Sequence, residues 1–301
     1  MKASRDSFGE EIAALGAEHS EIVVLDADLS KSTKSLHFAK KFPERFFEMG
    51  IAEANMIGTA AGLALSGKTA FACSFGCFLT GRYDQIRMSV AYNQANVILV
   101  GTHSGVAIGE DGHSQMGLED VGLLRALPHF SIFQPADDQE TRAVVRFLVK
   151  NPRPAYLRLT RQKLASVFPN AITFEPGKWA VLNRASKVAV FATGGLVGSV
   201  MKANENSGKS WTVVNASSLK PIDRNLIIEL SKTHDLMVTA EDHYTIGGLG
   251  SALAEVIAEE GLRSRLHRIG VEDFGESGDP DEVYREFRFD AAGIASRVSA
   301  L

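Results

Sequence analysis

Apolar positions along this chain of 301 residues follow two patterns that alternate from end to end. Phe8, Ile12 and Leu15 recur at helical spacing within 8–19. Residues 21–26 then form a continuous apolar run that closes on an acid, as a short buried strand does. The pattern predicts a helix over 52–65, a strand over 69–73, a helix over 79–91 and a wholly apolar strand over 96–101. A polar, glycine-rich loop follows over 102–116, then helix, strand, helix and strand to Leu159. Strands apolar on both faces, alternating with helices, argue for a parallel sheet covered on both sides. The period lapses over 161–178, where Pro169, Pro176 and Gly177 fall, as expected of a linker. A second alternating block has strands over 188–192, 211–214, 236–239 and 266–269, with helices from about Gly195, Arg224, Gly248 and Asp281. The expected fold is α/β, with two doubly wound, mostly parallel-sheet domains: 1–165, a linker over 166–185, and 186–301. No fixed-period repeat and no low-complexity segment interrupts it.

Composition narrows the function classes. Lys+Arg 32 against Asp+Glu 36 gives a net charge of -4, too near neutral for a nucleic-acid or anionic-membrane field. No apolar run reaches the ~18 residues of a spanning helix. The start, Met1 to Asp6, has no apolar stretch behind its charges, so no secretory signal is expected. The expectation is a soluble, cytoplasmic protein with neither membrane nor nucleic-acid partner. Cys73 and Cys77 are the two cysteines. Their i,i+4 spacing would set two sulfurs on one helix face, half of a zinc site, and two buried free thiols are the expected state.

In doubly wound sheets the chemistry lies at the carboxyl ends of the strands. Here those ends are the polar segments 26–32, 74–78, 102–115 and 160–161. The second domain offers 241–250 with Gly247-Gly-Leu-Gly250, which lacks the G-x-G-x-x-G spacing and is expected to be a tight strand-to-helix turn. No Walker motif, His-x-x-x-His or Cys-x-x-Cys occurs, so no metal site is expected in this chain. In Gly50-Ile-Ala-Glu-Ala-Asn-Met-Ile-Gly58 an acid sits in the first turn of a helix, where the dipole alone would favour it by ~0.3–1 kcal/mol.

Six segments occur in one order: Ala27-Asp-Leu29, Gly50-Ile-Ala-Glu53, Ser74-Phe-Gly-Cys-Phe78, Thr102-His103, Gly109-Glu-Asp-Gly112 and Leu159-Thr-Arg-Gln162. In that order and spacing they resemble the carboxyl-terminal two thirds of transketolases, over essentially the whole chain. The resemblance implies a pyrimidine-binding domain and a C-terminal domain, supplied as one chain of a split, two-chain transketolase. It implies thiamine diphosphate as cofactor, with Glu53 on its aminopyrimidine, Phe75 and Phe78 packed on that ring, and Asp28 near the thiazolium. A third family aromatic falls at Gly81. Arg5, Ser32, His103 and Arg161 match the residues that hold a substrate phosphate, and Asp111 matches an acid on a substrate hydroxyl. His103 and His113 are the implied proton-transfer residues. Gln115 aligns with the donor-side histidine, and His113, two residues earlier, is the other holder of that role.

The family's metal signature, Gly-Asp-Gly with a later Asn, is absent. Mg²⁺ and the diphosphate would therefore be held by an N-terminal, pyrophosphate-binding partner chain, most simply in a heterotetramer of two plus two. The implied reaction is transfer of a two-carbon ketol unit from a phosphorylated ketose to an aldose, as in pentose phosphate metabolism. Two other readings stay open: the β subunit of a 2-oxoacid dehydrogenase decarboxylating component, which His113-Ser-Gln115 resembles, and a catalytically silent assembly subunit.

Overall fold

The structure is a computed structural model and describes residues 1–185, 187–208 and 210–301. In chain order the strands of its two main sheets are β1 (Ile22–Asp26), β2 (Phe46–Glu48), β3 (Thr69–Phe75), β4 (Val97–Thr102), β5 (Ser131–Phe133), β6 (Ala155–Arg158), β7 (Ala180–Asn183), β8 (Val188–Ala192), β9 (Thr212–Asn215), β10 (Ser218–Lys220), β11 (Leu236–Tyr244) and β12 (Arg265–Val271). The first sheet has the order β10-β5-β6-β4-β3-β1-β2 and is parallel except at β10. The second has the order β12-β11-β8-β9-β7 and is parallel except at β7. Every residue of β1, β3 and β4 is buried, as the unbroken apolar runs require of strands with helices on both faces.

The main helices are α1 (Ser4–Leu15), α2 (Glu53–Leu65), α3 (Gly76–Thr80), α4 (Asp120–Arg125), α5 (Asp138–Lys150), α6 (Leu196–Asn206), α7 (Arg224–Ser231), α8 (Leu249–Glu259), α9 (Pro280–Glu286) and α10 (Ala291–Ser299). Helix α5 shows how the sequence writes an element. Asp137 accepts the Glu140 N–H as its cap, and Val144, Val145 and Leu148 face Phe8 and Ile12 across the core.

Three segments depart from the pattern. Strand β7 lies inside 166–185, the stretch expected to be linker, and joins the second sheet through β9. Strand β10, from the second half of the sequence, adds an edge to the first sheet through β5, a pairing decided by tertiary docking. The helix expected over 79–91 is broken into α3, a short turn Tyr83–Gln85 and a π-helical turn Ile86–Ala91. Cys73 lies in β3 and Cys77 in α3, so the two sulfurs share no helix face, and both thiols are free. Helix α10 went unread, although Asp290 ahead of Ala291-Ala-Gly-Ile is a capping signal.

The two domains meet around a buried ion pair. Arg158, at the end of β6, donates its Nε to both oxygens of Asp120 at 3.0 and 2.9 Å, and neither side chain is exposed. Its Nη2 bridges the domains, donating to the carbonyls of Gly117 and Asp242 at 2.8 Å each. Tyr156 and Ser104 donate their hydroxyls to the same aspartate at 2.7 and 3.0 Å. Burial alone would lift the Asp120 carboxyl, but Arg158, then His243 and Tyr156, hold it below the usual aspartate range. Asp120→Ala would leave the guanidinium buried without its counter-charge. Chemical denaturation should show a loss of about 3–5 kcal/mol, and a loss under about 1 kcal/mol would mean the pair behaves like an exposed one.

Candidate active site

The first sheet reverses its strand order between β1 and β3, and the segments leaving their carboxyl ends part there. After β1 the chain turns sharply through Asp28, whose φ of 61° is left-handed. Asp26 holds this turn. Its Oδ1 accepts the Leu29 N–H at 2.7 Å, and its Oδ2 accepts the hydroxyls of Thr33 and Ser35 at 2.6 and 2.7 Å. Burial pushes the Asp26 carboxyl up to about 6, against those hydrogen bonds. Asp28 is exposed and Ser32 half-buried, so the turn presents both at the rim. The sequence flagged Asp28 and Ser32 but not the buried aspartate beneath them, whose signal was the acid closing a strand.

Glu53 opens α2 and is buried at 6% exposure. Ser74, on β3, donates its hydroxyl to Glu53 Oε1 at 3.1 Å. Next along β3, Phe75 stacks with Phe78 (centroids 5.4 Å apart, planes 15°) and more closely with His103 (3.7 Å, 25°). Gly76 lets α3 begin here, because a Cβ would stand 2.7 Å from both the Ser104 and Tyr156 hydroxyls. A buried carboxyl beside a run of stacked rings can grip one edge of a flat heterocycle and cover its face.

His103 follows β4 with a φ of 56° and is 2% exposed. Arg5 Nη1 lies 3.2 Å from its Nε2, and Thr102 Oγ1 lies 3.0 Å from its Nδ1. A guanidinium can only donate, which assigns Nε2 as acceptor and the proton to Nδ1. Burial first, then the charges of Arg5, Arg161 and Lys34, push the ring down to about 3, so it is neutral. Arg5 also donates to the Ser32 carbonyl at 3.0 Å, while its buried Nε has no partner in the structure. Burial and then the neighbouring Arg161 charge lower the Arg5 guanidinium, though Asp6 opposes them. Two cations with an unsatisfied buried donor form a site for an anion. Arg161 donates to the Ile108 carbonyl and pairs with Asp111 at 3.1 Å, both side chains 39% exposed.

The loop carrying Asp111 is closed at its neck, where Gly105 N–H bonds Gly117 O at 3.0 Å and Gly117 N–H bonds His103 O at 3.3 Å. Glu53, Phe75, Phe78 and His103 are brought together, as are Arg5, Ser32, His103, Arg161 and Asp111. His113 turns elsewhere. Its Nδ1 accepts the Gly275 N–H at 3.0 Å, and its ring meets Phe274 edge-on at 4.6 Å. Gln115 ends a short 3₁₀ turn with its N–H on Gly112 O at 3.1 Å. Among the described residues no group of three or more His, Cys, Asp or Glu gathers to hold a metal. Also among them, no helix is long and apolar enough to cross a membrane.

The raised Asp26 carboxyl has a signed consequence. Its folded value of about 6 exceeds the ordinary 3.8, so the folded state binds the extra proton. Its contribution to stability therefore falls as pH rises from about 4 to 6 and stays reduced above that. Glu140 and Glu241, each pushed to about 7 by burial, act in the same direction somewhat higher. In urea titrations from pH 4.5 to 7.5, Asp26→Asn should remove the lower part of this slope and leave the upper part. Superimposable slopes for the two proteins would show that Asp26 does not titrate there.

Two family models cover most of the chain: the transketolase pyrimidine binding domain over residues 1–166 and the transketolase C-terminal domain over 177–294. A protein of Methanocaldococcus jannaschii, provisionally named as a transketolase C-terminal section, is 43% identical across 99% of this chain and 95% of its own length. Mouse transketolase is 36% identical across 99% of this chain, which spans 49% of that longer protein. A solved split-gene transketolase, described as an inactive beta4 tetramer, superposes with a TM-score of 0.91 at 41% identity, over 100% of this chain and 98% of that one. With both family models matched in order and relatives aligned along nearly its whole length, the chain belongs to the transketolase family.

Proposed function

We propose that this chain is the carboxyl-terminal subunit of a two-chain, thiamine diphosphate-dependent transketolase that moves a two-carbon ketol unit from a phosphorylated ketose to an aldose. The observation that carries the proposal is Glu53: a buried carboxyl at the start of α2, bonded to Ser74, beside the Phe75–Phe78–His103 stack. These residues suit an aminopyrimidine, which needs an acid at one ring nitrogen and apolar faces. Glu53, Phe75 and Phe78 would hold that ring, with Asp28 at the rim toward the thiazolium. When bound, thiamine diphosphate supplies a nucleophilic carbon that the protein lacks. Glu53 exchanges a proton with the ring nitrogen, and Ser74 fixes its orientation.

Arg5, Arg161, Ser32 and His103 form the phosphate end. The orphaned Arg5 Nε is the donor such an anion would complete. This pair of cations favours a sugar phosphate over a plain 2-oxoacid. His103 is neutral with an accepting Nε2, so it orients Arg5 and backs the aromatic stack rather than delivering a proton from this state. Asp111 and Gln115 would meet substrate hydroxyl and carbonyl groups. The diphosphate and its Mg²⁺ would fall to a partner chain. Two copies of each chain is the simplest assembly.

Purified alone, the chain should transfer little or no two-carbon unit, and co-expression with a chain carrying the Gly-Asp-Gly metal signature should restore transfer. Full activity of the lone chain with thiamine diphosphate and Mg²⁺ would refute the two-chain reading. In the assembled enzyme Glu53→Gln should slow exchange of the thiamine C2 proton about 10²–10⁴-fold while assembly persists. Near-normal exchange would leave Glu53 a helix-end acid and nothing more.

The phosphate assignment has its own test. Arg161→Ala should raise KM for phosphorylated sugars about 10- to 150-fold, the worth of one charged hydrogen bond. Unphosphorylated sugars should be almost unaffected, and an equal loss for both would make Arg161 structural.

A further inference from the structure

We propose that the second domain sets the position of the loop over 105–117, and with it Asp111, through a clamp whose joint is His113. The loop is held at both ends by the other domain. At its base, Val106 N–H donates to Asp242 Oδ1 at 2.8 Å, and a Cβ on Gly105 would collide with that carboxylate. The opposite oxygen of Asp242 takes the Tyr284 hydroxyl at 2.9 Å, which fixes the carboxylate in turn. At its tip, the segment 272–279 after β12 reaches across. Gly275 N–H donates to His113 Nδ1 at 3.0 Å, Phe274 packs on the edge of the imidazole at 4.6 Å, and Ser277 Oγ donates to the Glu110 carbonyl at 2.6 Å. Gly275 is required by closeness, since a Cβ there would run into Met116 Sδ. Asp111 lies between the two tip contacts, at Glu110 and His113, and reaches Arg161 from there.

The joint depends on an acceptor atom at one place, the His113 Nδ1 that takes the Gly275 N–H. Cys77 lies under the loop with its thiol toward the Ser114 carbonyl. The clamp makes His113 a positioning residue, and it ties the substrate side of the site to the second domain.

The role given to the loop rests on the function proposed above, whereas the clamp stands on these contacts. Hydrogen–deuterium exchange of the full chain, wild type against variants and referenced to β4, separates the two. In His113→Ala, peptides over 105–117 and 272–279 should lose protection about 2- to 12-fold, the worth of one neutral hydrogen bond. His113→Asn should keep wild-type protection, because its amide oxygen replaces Nδ1 as the acceptor. Ser277→Ala should lower protection of the same peptides. Wild-type protection in His113→Ala, or an equal loss in His113→Asn, would overturn the clamp. In the assembled two-chain enzyme Ser277→Ala should raise KM for a ketose phosphate about 2- to 12-fold with kcat nearly held. An unchanged KM would overturn the positioning role. A complex that transfers no two-carbon unit would count against the functional reading, and the exchange result would still decide the clamp.

Discussion

The buried Asp120–Arg158 pair is the constraint on which the rest of the molecule leans. Two unit charges without exposure persist only when other polar groups close around them, and here those groups come from both domains, with Arg158 Nη1 left without a hydrogen-bond partner. The result is a junction built from polar contacts as well as apolar packing. His243 accepts the Gly122 N–H at 3.2 Å and gives its own proton to the Tyr244 carbonyl at 2.7 Å. Tyr244 N–H crosses back to the Leu118 carbonyl at 2.9 Å. Arg125 spans to the Gly247 carbonyl at 2.8 Å. With α4 and the end of β6 locked against β11, the loop that leaves β4 has fixed points at both ends.

That rigidity lets the site use unfavourable backbone. Asp28 and His103 both carry left-handed φ values, at 61° and 56°, a region uncommon outside glycine although Asp and His enter it more readily than most. The Asp26 hydrogen bonds compel the first, and the Arg5 and Thr102 contacts hold the second. The electrostatics follow the same plan: burial keeps His103 neutral between the cations Arg5 and Arg161, whose charges are offset in part by Asp6 and Asp111.

The sequence by itself determined the alternation of strand and helix, the division into two parallel-sheet domains and the strand ends at which the flagged residues Glu53, Phe75, Phe78 and His103 come together. Continuous apolar runs such as 97–100 have only one comfortable place, the middle of a covered sheet, and Glu53 ahead of an Ala-rich helix marks its own position. Tertiary structure alone decided what local pattern does not encode. A three-residue strand such as β10 has too few residues to choose a sheet, and docking placed it on the first. Strand β7 was hidden because its apolar run, Ala180-Val-Leu182, is too short and only half-buried to stand out beside the prolines and glycine before it. Asp26, Asp242 and Ser277 gave no motif, since a buried carboxyl or a rim hydroxyl acquires its role from partners up to 167 residues away. The direction of His113 was undecidable in one dimension for the same reason: its partner, Gly275, is a backbone N–H brought to it by the packing of the other domain.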